Sequence, residues 1–251
     1  MIQYAYLTDK GIARSTNEDA MIYRSFSHNP EGFDIETYGS LFTVADGMGG
    51  HSAGEIASNM SCQNLLKYYK LPSVTDQTIW EQLTQIYFQI NESVLRQSFK
   101  IPDFRGMGTT LSTLIIRDKK AWIAHVGDSR IYMIRDRTLT QVTHDHTEVQ
   151  KMVDQGLFTR QEAEQSSVRN MLTQAIGVDA QLNVFTWSDV IQPDDIYLVC
   201  SDGLYDMLSH AQILSIILSN SEHLDKSCNQ LLLQARRAGS GDDITMIIIK
   251  V

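Results

Sequence analysis

Four stretches of this sequence place an aspartate where an apolar, strand-like run stops or starts. Leu41–Ala45 runs into Asp46-Gly47, and Trp122–Val126 runs into Gly127-Asp128. Ile196–Cys200 runs into Ser201-Asp202-Gly203, and Gly241-Asp242-Asp243 opens the last apolar run at Ile244. Arg14 and the pair Glu18-Asp19 stand near the N-terminus. An acid at the end of a buried strand sits at the rim of the core, and several on one rim repel each other. A hard divalent cation is the natural compensation, because Mg²⁺ and Mn²⁺ prefer carboxylate, carbonyl and water oxygens. The adjacent glycines let the backbone turn sharply and present a carbonyl as a further ligand. A single Asp-Gly reads as a turn and no more. Its recurrence at strand ends points to a cation site.

Other chemistries lack their spacing. No cysteine has an arginine six positions later, so a cysteine-phosphate mechanism has no support. Neither a P-loop, nor a dinucleotide fingerprint, nor a Gly-x-Ser-x-Gly elbow occurs. His144-Asp145-His146 has the look of a metal-ligand pair, but its spacing on a loop reads as a solvated turn. The three cysteines, Cys62, Cys200 and Cys228, are far apart and flanked by apolar residues. They read as buried small hydrophobes in a reducing compartment.

The elements that must carry these acids follow from periodicity. Strands are expected at Gln3–Thr8, Leu41–Ala45, Leu111–Arg117, Ala121–Val126, Ile131–Arg135, Leu182–Trp187, Ile196–Cys200 and Ile244–Val251. One helix follows the stripe from Ala53 to Tyr68, opened by a Ser52/Glu55 capping box; a second follows Trp80 to Val94. A third begins at Ser209, with Gln212 closing its box, and a fourth spans roughly Glu222–Ala238. Strands clustered in pairs predict antiparallel sheets with helices on the outer faces, an α/β class. The polar stretch Thr143–Gly177, with a helix near Glu148–Gln155, reads as an excursion from a single domain covering 1–251.

The chain has 30 acidic and 21 basic residues, a formal net charge of −9. That balance disfavours nucleic acid and anionic membranes as partners. No apolar run reaches the roughly 20 residues of a membrane span. Nor does a basic-then-apolar leader open the chain, which predicts a cytoplasmic protein.

At these residues the chain resembles the PP2C-like (PPM) metal-dependent serine/threonine protein phosphatase family in its compact bacterial form. The matching blocks are Arg14-Ser15-Thr16-Asn17-Glu18-Asp19, Val44-Ala45-Asp46-Gly47-Met48-Gly49-Gly50-His51, Gly106-Met107-Gly108-Thr109-Thr110, Val126-Gly127-Asp128-Ser129-Arg130, Ser201-Asp202-Gly203-Leu204 and Gly241-Asp242-Asp243-Ile244-Thr245. They occur in the family's order along the whole chain. The resemblance implies two central, mainly antiparallel sheets flanked by helices, with 143–177 as a flap beside the active site. It implies two or three Mn²⁺ or Mg²⁺ ions: Asp46 bridging two, Asp202 and Asp242 completing the first site, and the Gly47 carbonyl serving the second with Glu18 and Asp19, directly or through water. Asp128 with Asp202 would hold a third. Arg14 matches the phosphate-binding arginine, although a surface ion pair with Glu18 is the plainer reading of that residue.

The implied reaction is hydrolysis of phosphoserine and phosphothreonine in proteins, the targets of a serine/threonine kinase. A metal-activated hydroxide would attack phosphorus in line at the dinuclear centre, with Arg14 and Asp19 in the catalytic machinery. Two alternatives remain: a catalytically weak phosphoprotein-binding module of the same fold, and a metal hydrolase of small phosphoesters or nucleic acid. The chain departs from the family pattern twice. Met48 stands where many eukaryotic members have a histidine proposed to protonate the leaving group, and His51 cannot be assumed to replace it. Asp242-Asp243 replaces the frequent Asp-Asn, and the additional carboxylate reads as a supporting acceptor or as an aid to metal affinity.

Overall fold

The computed structural model describes residues 2–12, 14–49 and 53–251. Its strands are β1 (Gln3–Asp9), β2 (Asp19–Arg24), β3 (Ser40–Met48), β4 (Gly108–Thr109), β5 (Leu111–Arg117), β6 (Lys120–Val126), β7 (Arg130–Arg135), β8 (Thr138–Gln141), β9 (Phe185–Val190), β10 (Ile196–Cys200) and β11 (Ile244–Lys250). Its helices are α1 (Ile35–Tyr38), α2 (Ala53–Leu65), α3 (Ile79–Lys100), α4 (Glu148–Asp154), α5 (Arg160–Glu164), α6 (Asp202–Tyr205), α7 (His210–Ser219) and α8 (Leu224–Arg237). One sheet has the order β1-β11-β10-β7-β8; the other runs β2-β3-β5-β6-β9, with β4 pairing onto the end of β3. Every pairing is antiparallel.

Period-2 alternation explains the layering. Along β11, Ile247 and Ile249 face β3 and β5 residues such as Phe42, Val44 and Leu114, so the two sheets share a core. Met246 and Ile248 point the other way, onto Ile213, Ile217 and Leu231 of α7 and α8. Likewise Leu41 and Ala45 of β3 turn outward into the core beneath α2, with Ala57, Cys62 and Leu65, and α3 packs in turn against α2. Strands buried on both faces read as unbroken apolar runs, which is why β5, β10 and β11 were visible in the sequence at close to their true limits.

The boundaries moved for local reasons. The helix expected to reach Tyr68 ends at Leu65 and tightens into a 3₁₀ turn over Leu66–Lys70, where the buried Tyr68 hydroxyl donates to the Tyr38 carbonyl at 2.8 Å. Helix α3 continues past Val94 to Lys100. Strand β9 begins at Phe185 rather than Leu182, because Leu182 and Val184 turn into the core beside α3. Ser209 does cap α7 with Gln212 in a closed capping box, and helix α4 falls where a helix near Glu148 was expected. Ser52, expected to cap α2, lies outside the described residues. Cys62, Cys200 and Cys228 are buried and unpaired, as expected. Among the described residues no helix is long and apolar enough to cross a membrane.

Tyr87 of α3 is fully buried, and its hydroxyl donates to the Ala124 carbonyl of β6 at 2.7 Å while lying 2.8 Å from Thr113 Oγ1 of β5. Removing that hydroxyl leaves dry acceptors behind. Tyr87→Phe is expected to lower unfolding stability by about 1–3 kcal/mol in urea titrations, with an unchanged denaturant slope.

Candidate active site

Strand β3 delivers the central acid. The Asp46 backbone is clamped on both sides: Thr110 Oγ1 accepts its N–H at 2.8 Å, while its carbonyl accepts from Thr110 N at 2.9 Å and from Thr109 Oγ1 at 2.8 Å. In the β2–β3 register Asp19 lies directly opposite Asp46, so two carboxylates share one cross-strand position. Like charges in that arrangement repel. Next to Asp46, Gly47 is wedged between the Gly54 carbonyl of α2 and the Glu18 carbonyl. A Cβ on Gly47 would lie 2.2 Å from the first and 2.5 Å from the second, so only glycine lets α2 approach this closely.

The N-terminal acids are held from below. Asp19 is 7% exposed, and its Oδ2 accepts from Ser201 Oγ at 2.8 Å. Glu18 is buried; its carboxylate meets the Gly54 amide at the start of α2, and its carbonyl accepts from Ser58 Oγ at 2.7 Å. Arg14 makes the expected ion pair with Glu18 and adds one to Asp242 that the sequence did not suggest. Nη1 lies 3.2 Å from Glu18 Oε2, while Nε and Nη2 grip Asp242 Oδ1 at 2.9 and 2.7 Å. The remaining two acids complete the ring. Asp202 opens α6, directly after the end of β10. Asp128 follows β6, and its carbonyl accepts from the Tyr205 hydroxyl at 2.9 Å.

These side chains surround one cavity of about 200 Å³. Arg14, Glu18, Asp46, Gly47, Asp128, Asp202 and Asp242 all line it. Asp19 does not reach the wall. Asn170 and Leu172, from the polar stretch after β8, close one side, and Met48 lies on another. Sequence reasoning gave no role to Thr110 or Ser201, although both fall within motif blocks, and it missed Asn170 and Leu172, which carry no recognisable signal. His144-Asp145-His146 is solvated only at His144. Asp145 is buried in a two-pronged ion pair with Arg130 (Nη2–Oδ2 2.6 Å), whose guanidinium lies 3.7 Å from the Tyr205 ring centre. His146 accepts the Gly127 N–H at 3.2 Å, and burial pushes its imidazole down to about 4, with His144 adding to the shift. His144 bonds Asp154 at 2.7 Å. The alternation of polar residues in this segment concealed a buried anchor beside Asp128.

The electrostatics follow from the crowding. Burial, with Asp19, Asp202, Asp128 and Asp242 all acting on it, pushes the Asp46 carboxyl well above the usual range. Asp19 is pushed up to about 7 by burial, against the Ser201 hydrogen bond. Asp202 reaches about 7 through burial, Asp206 and Asp242. Asp128 is raised by burial and Asp202. Two oxygens in this ring, Asp19 Oδ1 and Asp202 Oδ1, are buried without a hydrogen-bond partner. Orphaned carboxylate oxygens in a carboxylate cluster fit a hard divalent cation. Among the described residues no three His, Cys, Asp or Glu side chains form a ready metal cage.

The family model described as protein phosphatase 2C matches residues 27–236. The serine/threonine phosphatase stp of Listeria monocytogenes is 31% identical over 98% of this chain and 94% of its own length. The solved structure of the Mycobacterium tuberculosis phosphatase PstP/Ppp matches with a TM-score of 0.86 at 31% identity, covering 100% of this chain and 98% of that one. A structure of the PstP catalytic domain with two manganese ions matches with a TM-score of 0.82 at 31% identity, covering 99% and 97%. The chain belongs to the protein phosphatase 2C family, whose members are metal-dependent phosphatases.

Folded-state pKa values raised above the unfolded ones stabilise at low pH, and that contribution is lost as pH rises through the folded value. For Asp19 and Asp202 the window runs from about 4 to about 7. In EDTA the melting temperature is therefore expected to fall between pH 5 and pH 8, and saturating Mn²⁺ to abolish or reverse that trend. Calorimetric melts at both pH values check it.

Proposed function

We propose that this protein is a metal-dependent protein serine/threonine phosphatase that hydrolyses phosphoserine and phosphothreonine in proteins. The observation that carries this reading is Asp46, ringed by four other carboxylates, with a guanidinium on the same cavity wall. The chain is read as one PP2C-like domain, with 143–177 as its flap.

Two or three Mn²⁺ or Mg²⁺ ions would be held by Asp46, Asp202, Asp242, the Gly47 carbonyl, Glu18 and Asp19, with Asp128 and Asp202 serving the third. Such ions, when bound, lower the pKa of water toward neutrality and offset phosphoryl charge. Asp242 Oδ1 is already taken by Arg14 and by the Asp243 N–H at 2.8 Å, so Oδ2 is the oxygen assigned to an ion. Asp19 has Oδ2 anchored by Ser201 and Oδ1 buried without a hydrogen-bond partner, which leaves Oδ1 for an ion or its water. Arg14 spends part of its fork on Asp242 and Glu18. Its remaining N–H groups meet the equatorial phosphoryl oxygens, a geometry suited to the planar guanidinium. Met48 carries no transferable proton, and no histidine lines the cavity among the described residues. His51 lies outside them. The leaving alkoxide is assigned its proton from cavity water. Asn170 and Leu172 give the flap a direct hold on the substrate chain.

Substrates are phosphoproteins produced by a serine/threonine kinase, and the cytoplasm is the compartment assigned. The test is turnover of a phosphothreonine peptide with Mn²⁺. EDTA or Asp46→Ala is expected to reduce activity by at least about a hundredfold. Arg14→Ala is expected to lower kcat/KM by roughly ten- to a hundredfold, the scale of lost charge-assisted hydrogen bonds. Activity surviving chelation or Asp46→Ala overturns the metal mechanism, and calorimetry without Mn²⁺ binding overturns the reading in favour of a binding module.

A further inference from the structure

Asp243 is the acid that the metal ring leaves unused. It is 4% exposed, and both carboxylate oxygens are committed. Oδ1 accepts the Gly11 backbone N–H at 2.7 Å, and Oδ2 accepts the Glu18 backbone N–H at 2.8 Å. Those two amides bracket the segment that carries Arg14. The segment has little core of its own, since Ile12 is 79% exposed and the Arg14 side chain is 43% exposed. Among its described residues, side-chain bonds of Asn17 to Thr8 Oγ1 and of Lys10 to the Ser15 carbonyl hold the middle, and Asp243 holds the backbone at both ends. Gly11 itself lies against the 241–242 turn, where an added Cβ would meet the Gly241 carbonyl at 2.4 Å. From the other side Arg236 of α8 ties down the flanks of the same turn, donating to the Lys10 carbonyl at 2.9 Å and the Asp242 carbonyl at 2.7 Å.

We propose that Asp243 is a positioning residue: its carboxylate holds both ends of the 11–18 segment and so sets the Arg14 guanidinium for phosphate. The inference rests on the reading of Arg14 as the phosphate-binding group. It also accounts for the second acid of Asp242-Asp243. A carboxylate offers acceptors at both oxygens, whereas an asparagine amide offers one acceptor and one N–H₂. In this register an asparagine would set its N–H₂ against a backbone N–H, losing one bond and adding a repulsion. Asp242 and Asp243 thus divide the work. Asp242 grips the guanidinium directly, and Asp243 fixes the backbone that delivers it.

The first measurement is amide exchange by NMR in the EDTA-treated wild-type protein. The Gly11 and Glu18 amides are expected to exchange at least about a hundredfold more slowly than in an unfolded chain. Fast exchange at both overturns the inference without any variant. The second is a kinetic cycle at saturating Mn²⁺ with Asp243→Asn. In the Arg14 background the substitution is expected to lower kcat/KM on a phosphothreonine peptide about tenfold. In the Arg14→Ala background it is expected to cost less than about twofold, because the two act as a unit. Equal losses in both backgrounds, or a loss matched by a general drop in melting temperature, assign Asp243 a purely structural role and overturn the inference. If the wild type turns over no phosphopeptide, the proposed function fails. Titration with inorganic phosphate, followed on the Arg14 Nη–H signals, then still decides: a shift in the wild type that is lost in Asp243→Asn supports the positioning role, and an identical shift in both, or none in the wild type, refutes it.

Discussion

Mutual repulsion among carboxylates is the constraint around which this molecule is arranged. Asp46 feels Asp19, Asp202, Asp128 and Asp242 at once. Left to itself, such a cluster would spread apart. It stays together because each acid is delivered by a separate rigid element, and each backbone is fixed before its charge matters. Thr109 and Thr110 clamp the Asp46 peptide. Ser201 holds Asp19, and Tyr205 holds the Asp128 carbonyl. The two sheets and the core they share hold the acids in place against that repulsion.

Two layers of hydrogen bonding support the site, and they use different chemistry. Close to the carboxylates, neutral hydroxyls of Thr109, Thr110, Ser58 and Ser201 orient groups without adding charge. Further out, ion pairs take over: Arg130 with Asp145 anchors the base of the flap, and Arg236 with Asp9 anchors the turn behind Arg14. Arg14 is the exception, a fixed cation on the cavity wall itself, paired with Glu18 and Asp242.

Much of this was legible in the chain. The apolar runs of β3, β6, β10 and β11, each meeting an aspartate, gave both the sheets and the acids, because doubly buried strands leave an uninterrupted hydrophobic trace. The family blocks then gathered Arg14 and Glu18 to them. What the sequence concealed depended on register and on distant contacts. Strand β2 begins with Asp19 itself, and its short mixed pattern does not announce a strand. That Asp19 faces Asp46 follows only from the pairing. The partners of Asp243 lie more than two hundred positions away. His144-Asp145-His146 looked solvated because polar residues that find buried partners are indistinguishable, in sequence, from those that find water.

The facing of Asp19 and Asp46 also says where this gene can tolerate insertions and deletions. Side chains alternate along a strand, so slipping β2 by one residue against β3 would turn Asp19 to the opposite face of the sheet and leave Ala20 opposite Asp46. The connection between the two strands, residues 25–39, lies at the far end of the pair from the acids. Its mostly exposed stretch, residues 26–32, bears no part of that register, whereas Ile35 and Tyr38 of α1 are packed in the core. Within β2 and β3 themselves, the count of residues between the turn and the carboxylates is as fixed as the carboxylates are.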